Sequence, residues 1–223
     1  MRMANKPLII AFDGVQGAGK STVMNAVRDS LTSDRTVACI EEVPVYGAQM
    51  GFSMSDVART KGNLSALFMA LHVEKLRANK AEENTADIIL VDKTFPSLLA
   101  SGFARSKFRQ GQNTQPDNHI VRDTPTEKIK IAWPRLLRPD HIIMVDRAAA
   151  DCIEGINTRA AFADYREILL RETSHPQYQD VFRSLYKGFK TSLMPFTPIS
   201  TIENSGTIED ARDKALDVIF AAG

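Results

Sequence analysis

The sequence predicts an α/β protein in which helices cover both faces of a five-stranded parallel sheet. Short apolar segments alternate with longer segments of helical periodicity along the whole chain, a pattern typical of a parallel sheet buried between helices. A glycine-rich turn joins the first apolar segment directly to the first helical one. The composition, 43% hydrophobic and 25% charged residues, is that of an ordinary globular protein.

Each predicted strand is a short apolar segment, and each predicted helix is a longer segment in which apolar residues recur every three or four positions. The last helix has the clearest start signal, because Thr207 can cap its N-terminus and Glu209 and Asp210 place acids in its first turn. The predicted strands are 7–12, 36–41, 87–92, 141–146 and 199–202. The predicted helices are 20–32, 63–84, 95–108, 147–158, 176–193 and 207–221, and the segment 110–126 is expected to be a surface loop.

The size and composition of the chain indicate a single domain that spans residues 1–223. No apolar run approaches the ~20 residues of a membrane span, so no membrane partner is expected. Cys39 and Cys152 stand apart from each other and from any histidine cluster, which argues against a disulfide or a zinc site. Free thiols fit a reducing compartment, and the first apolar stretch is too short for a signal peptide, so we expect a cytoplasmic protein.

The most specific motif lies in residues 12–22, which read Phe-Asp-Gly-Val-Gln-Gly-Ala-Gly-Lys-Ser-Thr between a strand and a helix. In that context the pattern predicts a loop whose backbone N–H groups surround the phosphates of a nucleoside triphosphate. Lys20 is expected to reach the β- and γ-phosphates, and the Ser21 hydroxyl to ligate Mg²⁺. ATP and Mg²⁺ are therefore the expected cofactors. The residues expected to bind them are Gly14, Gly17, Ala18, Gly19, Lys20, Ser21 and Thr22.

Acidic residues end two further strands, at the edge of the sheet where ligands of such proteins bind. Asp92 ends the segment 87–92 and could orient Mg²⁺ together with Ser21, or it could cap the next helix. Glu41 and Glu42 end the second strand, and either could act as a general base or hold a sugar hydroxyl. Because side chains alternate along a strand, only one of these two glutamates can face the site, and the sequence does not say which.

Three arginines, Arg159, Arg166 and Arg171, lie in or beside the polar segment 157–172. Arginines on a mobile segment can close over a phosphoryl group and spread its charge. We therefore expect this segment to be a lid whose catalytic arginine is Arg159 or one of the other two, and the sequence does not say which.

Several of these motifs resemble thymidylate kinase, with the deoxynucleoside kinases as close relatives. Residues 10–22 are very similar to the opening of that family, and residues 67–74 resemble its base-binding helix. Residues 92–100 stand where the family has Asp-Arg-Tyr followed by a serine and an alanine, and residues 138–146 match its fourth strand. The resemblance implies a P-loop fold of the nucleoside-monophosphate-kinase type and a phosphotransferase that uses ATP and Mg²⁺.

The resemblance also implies residues for the acceptor side of the site. Phe68 and His72 would contact the acceptor base, Lys93 its phosphate and Gln16 its sugar. Three of these four depart from the family pattern: Gln16 replaces a carboxylate, and His72 and Lys93 replace arginines. Lysine can neutralise a phosphate but lacks the bidentate fork of arginine. The acceptor is therefore not expected to be plain thymidylate.

The expected reaction is transfer of the γ-phosphoryl group of ATP to a deoxynucleotide or a related nucleotide. Two other acceptors stay open: a deoxynucleoside, with Glu41 or Glu42 as the base, and a modified nucleotide within DNA. A protein of another class, an NTP-dependent binding or switch protein, would carry the same phosphate-binding loop.

The segment 103–138 has a net charge of +5, whereas the whole chain has a net charge of +1. Such a segment could hold the phosphates of DNA, or it could be an ordinary solvated surface. A small nucleotide remains the expected partner, and a homodimer is a further expectation. The charged residues of the segment are Arg105, Lys107, Arg109, Arg122, Lys128, Lys130, Arg135 and Arg138 against Asp117, Asp123 and Glu127.

Overall fold

The computed structural model describes residues 6–53, 63–109, 136–158, 170, 173–175 and 177–223. Within them, all strands pair in parallel in one five-stranded sheet, which confirms the predicted fold class. The strands are β1 (Leu8–Asp13), β2 (Val37–Ile40), β3 (Ile88–Asp92), β4 (His141–Asp146) and β5 (Ile199–Glu203). Their order across the sheet is β2-β3-β1-β4-β5, so the strand that leads into the glycine-rich turn is the central one.

The described residues contain seven helices. They are α1 (Lys20–Leu31), α2 (Val43–Gln49), α3 (Asn63–Glu82), α4 (Phe95–Arg109), α5 (Ala149–Asn157), α6 (Tyr178–Leu193) and α7 (Ile208–Ala222). The start signal of α7 is confirmed: the Thr207 hydroxyl accepts a hydrogen bond from the Asp210 N–H at 3.1 Å, and the Asp210 carboxylate accepts one from the Thr207 N–H at 3.2 Å.

Helix α2 is an addition to the predicted elements, because the sequence analysis assigns no structure to residues 43–49. Pro44 stands at the start of this helix, where a missing N–H group costs nothing. The proline is the signal by which the helix could have been predicted.

Alternating side chains of the central strand supply two separate cores. Ile10 and Phe12 of β1 pack on one side with α1 and α7, whereas Ile9 and Ala11 pack on the other with α3 and α4. All four side chains are less than 9% exposed. Helices therefore cover both faces of the sheet, as the apolar character of the strands predicts.

None of the described helices is both long enough and apolar enough to cross a membrane. Cys39 and Cys152 are both free thiols, the first partly exposed and the second buried. Burial raises the pKa of the Cys152 thiol to about 11, so this thiol is protonated at neutral pH.

Candidate active site

The turn between β1 and α1 forms a tight loop whose glycines have no room for a side chain. Gly14 and Gly17 have φ angles of 142° and 83°, which favour glycine. A Cβ atom on Gly14 would collide with the Val145 carbonyl, and one on Gly17 would collide with the Cys152 carbonyl. The loop backbone therefore packs directly on β4 and α5. This close approach leaves its N–H groups at the N-terminus of α1, where the helix dipole favours a phosphate.

Lys20 and Ser21, the first two residues of α1, both have their side chains fixed in this loop. Lys20 is 8% exposed, and its Nζ donates a hydrogen bond of 3.0 Å to the Val15 carbonyl. Ser21 Oγ donates one of 2.8 Å to Asp92 Oδ2 at the end of β3. The structure therefore brings Ser21 and Asp92 together. Asp92 does not cap α4, because Thr94 Oγ1 accepts a hydrogen bond of 3.4 Å from the Ser97 N–H in the first turn of that helix.

The residues present fit a magnesium ion held mainly by phosphates and water. No group of three or more His, Cys, Asp and Glu side chains that could hold a metal occurs in the described part of the chain. Mg²⁺ in phosphate-transfer sites needs few protein ligands, because phosphate and water oxygens supply the rest. The Ser21 hydroxyl and the Asp92 carboxylate are two hard oxygen donors of the required kind.

The other expected loop residues occupy different environments. Ala18 is fully buried, and its carbonyl accepts a hydrogen bond of 2.8 Å from Asn204 Nδ2, just beyond β5. Gly19 precedes α1 with a φ of 88°, and Thr22 is exposed on the first turn. Gln16 lines a small cavity with Cys152 and Tyr178, and its Oε1 is buried without a hydrogen-bond partner among the described residues.

A buried carboxylate at the start of the loop joins three elements. Asp13 is fully buried and accepts hydrogen bonds from the Thr94 N–H at 2.7 Å, the Thr94 hydroxyl at 2.6 Å and the Tyr186 hydroxyl at 2.9 Å. Burial raises the pKa of Asp13, and these hydrogen bonds oppose that effect. Asp13 thereby ties the end of β1 to the start of α4 and to α6. The sequence analysis assigns no role to it or to Tyr186.

Lys93 and Glu42 form an ion pair beside the Ser21–Asp92 contact. Lys93 Nζ lies 3.8 Å from Glu42 Oε2, and the Lys93 side chain is only 4% exposed. The structure thus selects Glu42 as the glutamate that faces Lys93. Burial lowers the pKa of Lys93 to about 8, although the Glu42 carboxylate opposes the shift. Burial alone would raise the pKa of Glu42, but four neighbouring cations outweigh it and lower that pKa; they are Lys93, Lys20, Arg77 and Arg105.

Arg77 and Arg105 are contributors to this site that the sequence analysis did not assign to it. Arg77 is fully buried on α3 and donates hydrogen bonds of 3.0 Å to the carbonyls of both Asp92 and Lys93. Arg105 belongs to the predicted basic segment 103–138, and its charge acts on both Glu42 and Lys93. The sequence signal that could have indicated a role for Arg77 is its place as a charged residue in the middle of a helix that packs on the core.

Phe68 and His72 lie four residues apart on α3 and therefore share one face of that helix. Phe68 is 52% exposed, so it is not a core aromatic. His72 is exposed and contacts the Phe52 ring edge-on, with ring centroids 5.9 Å apart. Two further predictions fall outside the described residues: the lid arginines Arg159, Arg166 and Arg171, and residues 110–135 of the basic segment.

No protein-family model matches the sequence, and no curated protein matches it. Solved structures are similar in fold. A thymidylate kinase from Candida albicans is 14% identical, with a TM-score of 0.61 over 97% of this chain and 92% of that chain. A deoxyadenosine kinase from M. mycoides with bound dATP is 17% identical, with a TM-score of 0.64 over 96% and 100%. A thymidylate kinase from Ehrlichia chaffeensis is 14% identical, with a TM-score of 0.52 over 96% and 98%. The chain therefore has the P-loop kinase fold of thymidylate kinase and deoxynucleoside kinase structures.

Proposed function

We propose that the protein is an ATP-dependent kinase that transfers the γ-phosphoryl group to a deoxynucleotide or a related nucleotide. One observation carries the proposal: a phosphate-binding loop and a Lys–Glu pair with a buried lysine meet at consecutive residues of one strand end. Asp92 contacts Ser21 of the loop at 2.8 Å, and the next residue, Lys93, lies 3.8 Å from Glu42. An in-line transfer requires the donor and acceptor to be held close together, and two adjacent residues that contact the two sides of the site serve that purpose.

On the donor side, the loop amides and Lys20 would hold the triphosphate of ATP. Lys20 is already anchored within the loop by its contact with the Val15 carbonyl, so its ammonium needs little reorganisation to meet a phosphate. Ser21 and Asp92 would hold Mg²⁺, which neutralises charge on the phosphates when it is bound.

On the acceptor side, the Lys93 ammonium would neutralise an acceptor phosphate. The Glu42 carboxylate, whose lowered pKa keeps it ionised at neutral pH, would accept a hydrogen bond or a proton from an acceptor hydroxyl. Phe68 and His72 would contact the acceptor base, and Gln16 would contact its sugar. Arg159 would complete the charge stabilisation from the lid.

A deoxynucleoside kinase is the second candidate, and the Glu42–Lys93 pair favours it. The Glu42 carboxylate lies between β2 and α2, where its contact with Lys93 holds it in place, and it would accept the proton of a sugar hydroxyl. The similarity in fold to a deoxyadenosine kinase supports the same candidate. In this case the protein would phosphorylate deoxynucleosides and not monophosphates.

A kinase that acts on a modified nucleotide within DNA is the third candidate, because of the charge of the segment 103–138. Lys107 and Arg138 are exposed, as a polynucleotide contact requires, whereas Arg105 acts on the Glu42–Lys93 pair. Phosphorylation of DNA through this segment would fall steeply as the salt concentration rises.

The test is a screen with γ-labelled ATP over deoxynucleosides, their monophosphates and DNA with and without modified bases. Lys20→Ala should abolish transfer and leave the circular dichroism spectrum unchanged, while Lys214→Ala, at an exposed lysine of α7, should behave like wild type. Transfer to one acceptor class supports the proposal and identifies the substrate. Slow ATP hydrolysis with every acceptor would instead indicate a binding or switch protein.

A further inference from the structure

The backbone of Lys93 is strained. Lys93 has a φ angle of 67° and is the one non-glycine residue with positive φ in the described part of the chain. This conformation crowds the Cβ atom, so the surrounding structure must hold it in place. The Lys93 N–H donates a hydrogen bond of 3.0 Å to the Phe12 carbonyl, and the Thr94 N–H donates one of 2.7 Å to Asp13.

Arg77 holds the two carbonyls that flank the strained angle. Its Nη2 donates to the Asp92 carbonyl and to the Lys93 carbonyl, each at 3.0 Å. Its Nη1 donates to Glu74, one turn earlier on α3. Arg77 and Glu74 are both fully buried, so this guanidinium has no freedom to leave the strand end.

The Glu74–Arg77 pair is poorly suited to act as a stabilising contact alone. Glu74 Oε1 and Arg77 Nε are buried and lack hydrogen-bond partners among the described residues. Burial of two charges costs solvation free energy, and apolar side chains of similar volume often pack as well or better. The pair does supply a geometric constraint that apolar side chains lack, because it fixes two adjacent carbonyls.

The side chain of Lys93 depends on that constraint. A change of φ to an ordinary negative value would rotate the Cα–Cβ bond and move the ammonium away from Glu42. In the observed conformation the side chain is 4% exposed and its Nζ lies 3.8 Å from Glu42 Oε2.

We propose that Arg77 is a positioning residue: it holds Lys93 in the left-handed conformation that presents the Lys93 ammonium to Glu42 and to the acceptor. The inference rests on the proposed function for its catalytic consequence. The position of Lys93 itself can be measured without any activity.

The decisive variant is the double substitution Glu74→Leu with Arg77→Met. It removes both hydrogen bonds to the strand end and leaves no unpaired buried charge, so the protein should fold, with a melting temperature lowered only by the loss of the two carbonyl hydrogen bonds. Arg212→Met, which breaks an exposed ion pair with Asp213 on α7, is the control for loss of an arginine elsewhere.

The first readout is the rate at which an amine-acetylating reagent modifies Lys93, followed by mass spectrometry. Lys20, which is 8% exposed and belongs to the loop, is the internal reference. The proposal predicts a severalfold faster modification of Lys93 in the double variant with no change at Lys20. Equal rates at Lys93 in wild type and variant would overturn it.

The second readout is steady-state kinetics with the acceptor found in the screen. A displacement of about 1 Å can cost on the order of 100-fold in rate, so kcat/KM for the acceptor should fall strongly while the KM for ATP stays the same. In a Lys93→Ala background the double variant should cause no further loss, because Arg77 acts through Lys93. Additive losses would identify a merely structural role and overturn the proposal. If the wild-type protein has no transferase activity, the proposed function is refuted. The rate of Lys93 acetylation then still decides whether Arg77 holds the Lys93 side chain in place.

Discussion

The Ser21 hydroxyl donates a hydrogen bond of 2.8 Å to Asp92, although the two residues are 71 positions apart in the chain. They meet because the short loop 14–19 joins β1 to α1, and β1 is paired with β3. The contact joins the phosphate-binding loop to the neighbouring strand end. It also places two hard oxygen atoms, of the kind that Mg²⁺ prefers, at the N-terminus of α1.

Asp92→Asn should lower kcat far more than it weakens ATP binding. The amide keeps the size of the side chain but loses the negative charge, and loss of such a group weakens metal affinity by roughly 10–100-fold. Measurement of kcat at several Mg²⁺ concentrations, beside the dissociation constant of ATP without Mg²⁺, checks this prediction.

Asp87→Asn is the matched control, at the other end of the same strand. Asp87 accepts hydrogen bonds from the Thr36 N–H and the Thr36 hydroxyl, which lower its pKa. Its replacement should lower the melting temperature slightly and leave the Mg²⁺ dependence unchanged. Equal effects of the two substitutions on Mg²⁺ dependence would contradict the role of Asp92.

Gly155→Ala should weaken ATP binding through the loop that it touches. A Cβ atom on Gly155 would lie 2.6 Å from the Gly17 carbonyl, so α5 or the loop must move. Such overpacking typically costs about 1–3 kcal/mol. ATP titrations and thermal melts check the prediction.

Gly188→Ala is the control, since Gly188 also lies in a helix but a Cβ atom there has no neighbour within 4 Å. This substitution should stabilise the protein by about 0.4–1 kcal/mol and leave ATP binding unchanged. Equal ATP affinities in the two variants would show that α5 does not shape the loop.

The activity toward a phosphorylated acceptor should fall above about pH 8. The pKa of Lys93 is lowered to about 8 by burial, so its ammonium is charged below that pH and neutral above it. Because kcat/KM reports the free enzyme, it should fall about tenfold for each further pH unit. In Lys93→Arg the charge persists, and the decline near pH 8 should disappear.

Deprotonation of Lys93 does not unfold the protein, so the decline in activity above about pH 8 is distinct from a loss of stability. The unfolded chain keeps Lys93 protonated up to its ordinary pKa of 10.5, so between about pH 8 and that value it binds more protons than the folded protein. The contribution of Lys93 to the free energy of unfolding therefore rises with pH over this interval. The activity should therefore fall with pH while the Lys93 contribution to stability rises, and a flat rate profile would refute the prediction.

Thymidine monophosphate should be a poor acceptor for the wild-type protein. Gln16, His72 and Lys93 replace residues of the thymidylate kinase pattern, and each polar group lost from a recognition site costs about 1–3 kcal/mol. Gln16→Asp, His72→Arg and Lys93→Arg together should raise kcat/KM for this acceptor. Wild-type efficiency near ~10⁵ M⁻¹s⁻¹, ordinary for a good enzyme, would refute the argument.

The sheet could be predicted because its strands are buried on both faces and therefore appear as uninterrupted apolar segments. The predicted strand 141–146 coincides with β4, and the other four agree with the structure within one or two residues at each end. The phosphate-binding loop and the edge position of Asp92 follow from the same segments.

The choice between Glu41 and Glu42 could not be made from alternation. Strand β2 ends at Ile40, before either glutamate, and α2 begins at Val43. Glu42 has extended dihedrals and is the residue that immediately precedes this helix. The direction of its side chain is therefore set by the start of α2 and not by the alternation of a strand. Alternation applies only within the strand.

The buried polar contacts could not be predicted because they depend on the order of the strands. Tyr186 and Asp13 are 173 positions apart in the chain. Arg77 lies on α3 and donates a hydrogen bond to the Asp92 carbonyl at the end of β3, which is possible because α3 packs on the sheet. The sequence identifies Arg77 and Asp13 as charged residues, but local sequence patterns do not identify the groups to which they hydrogen-bond.

The central place of β1 also determines when the nucleotide site can exist during synthesis. β1 leaves the ribosome first, yet its two partners follow much later: Ile10 pairs with Leu90 of β3 and with His141 of β4. At about 5–20 residues per second, the second partner appears on the order of ten seconds after the loop itself. Until then the glycine-rich segment lacks its β4 neighbour, and that side of an apolar strand remains open to wrong pairing. The loop of residues 12–22 is thus made well before the second strand that flanks it, and its packing on Val145 is possible only after β4 has been made.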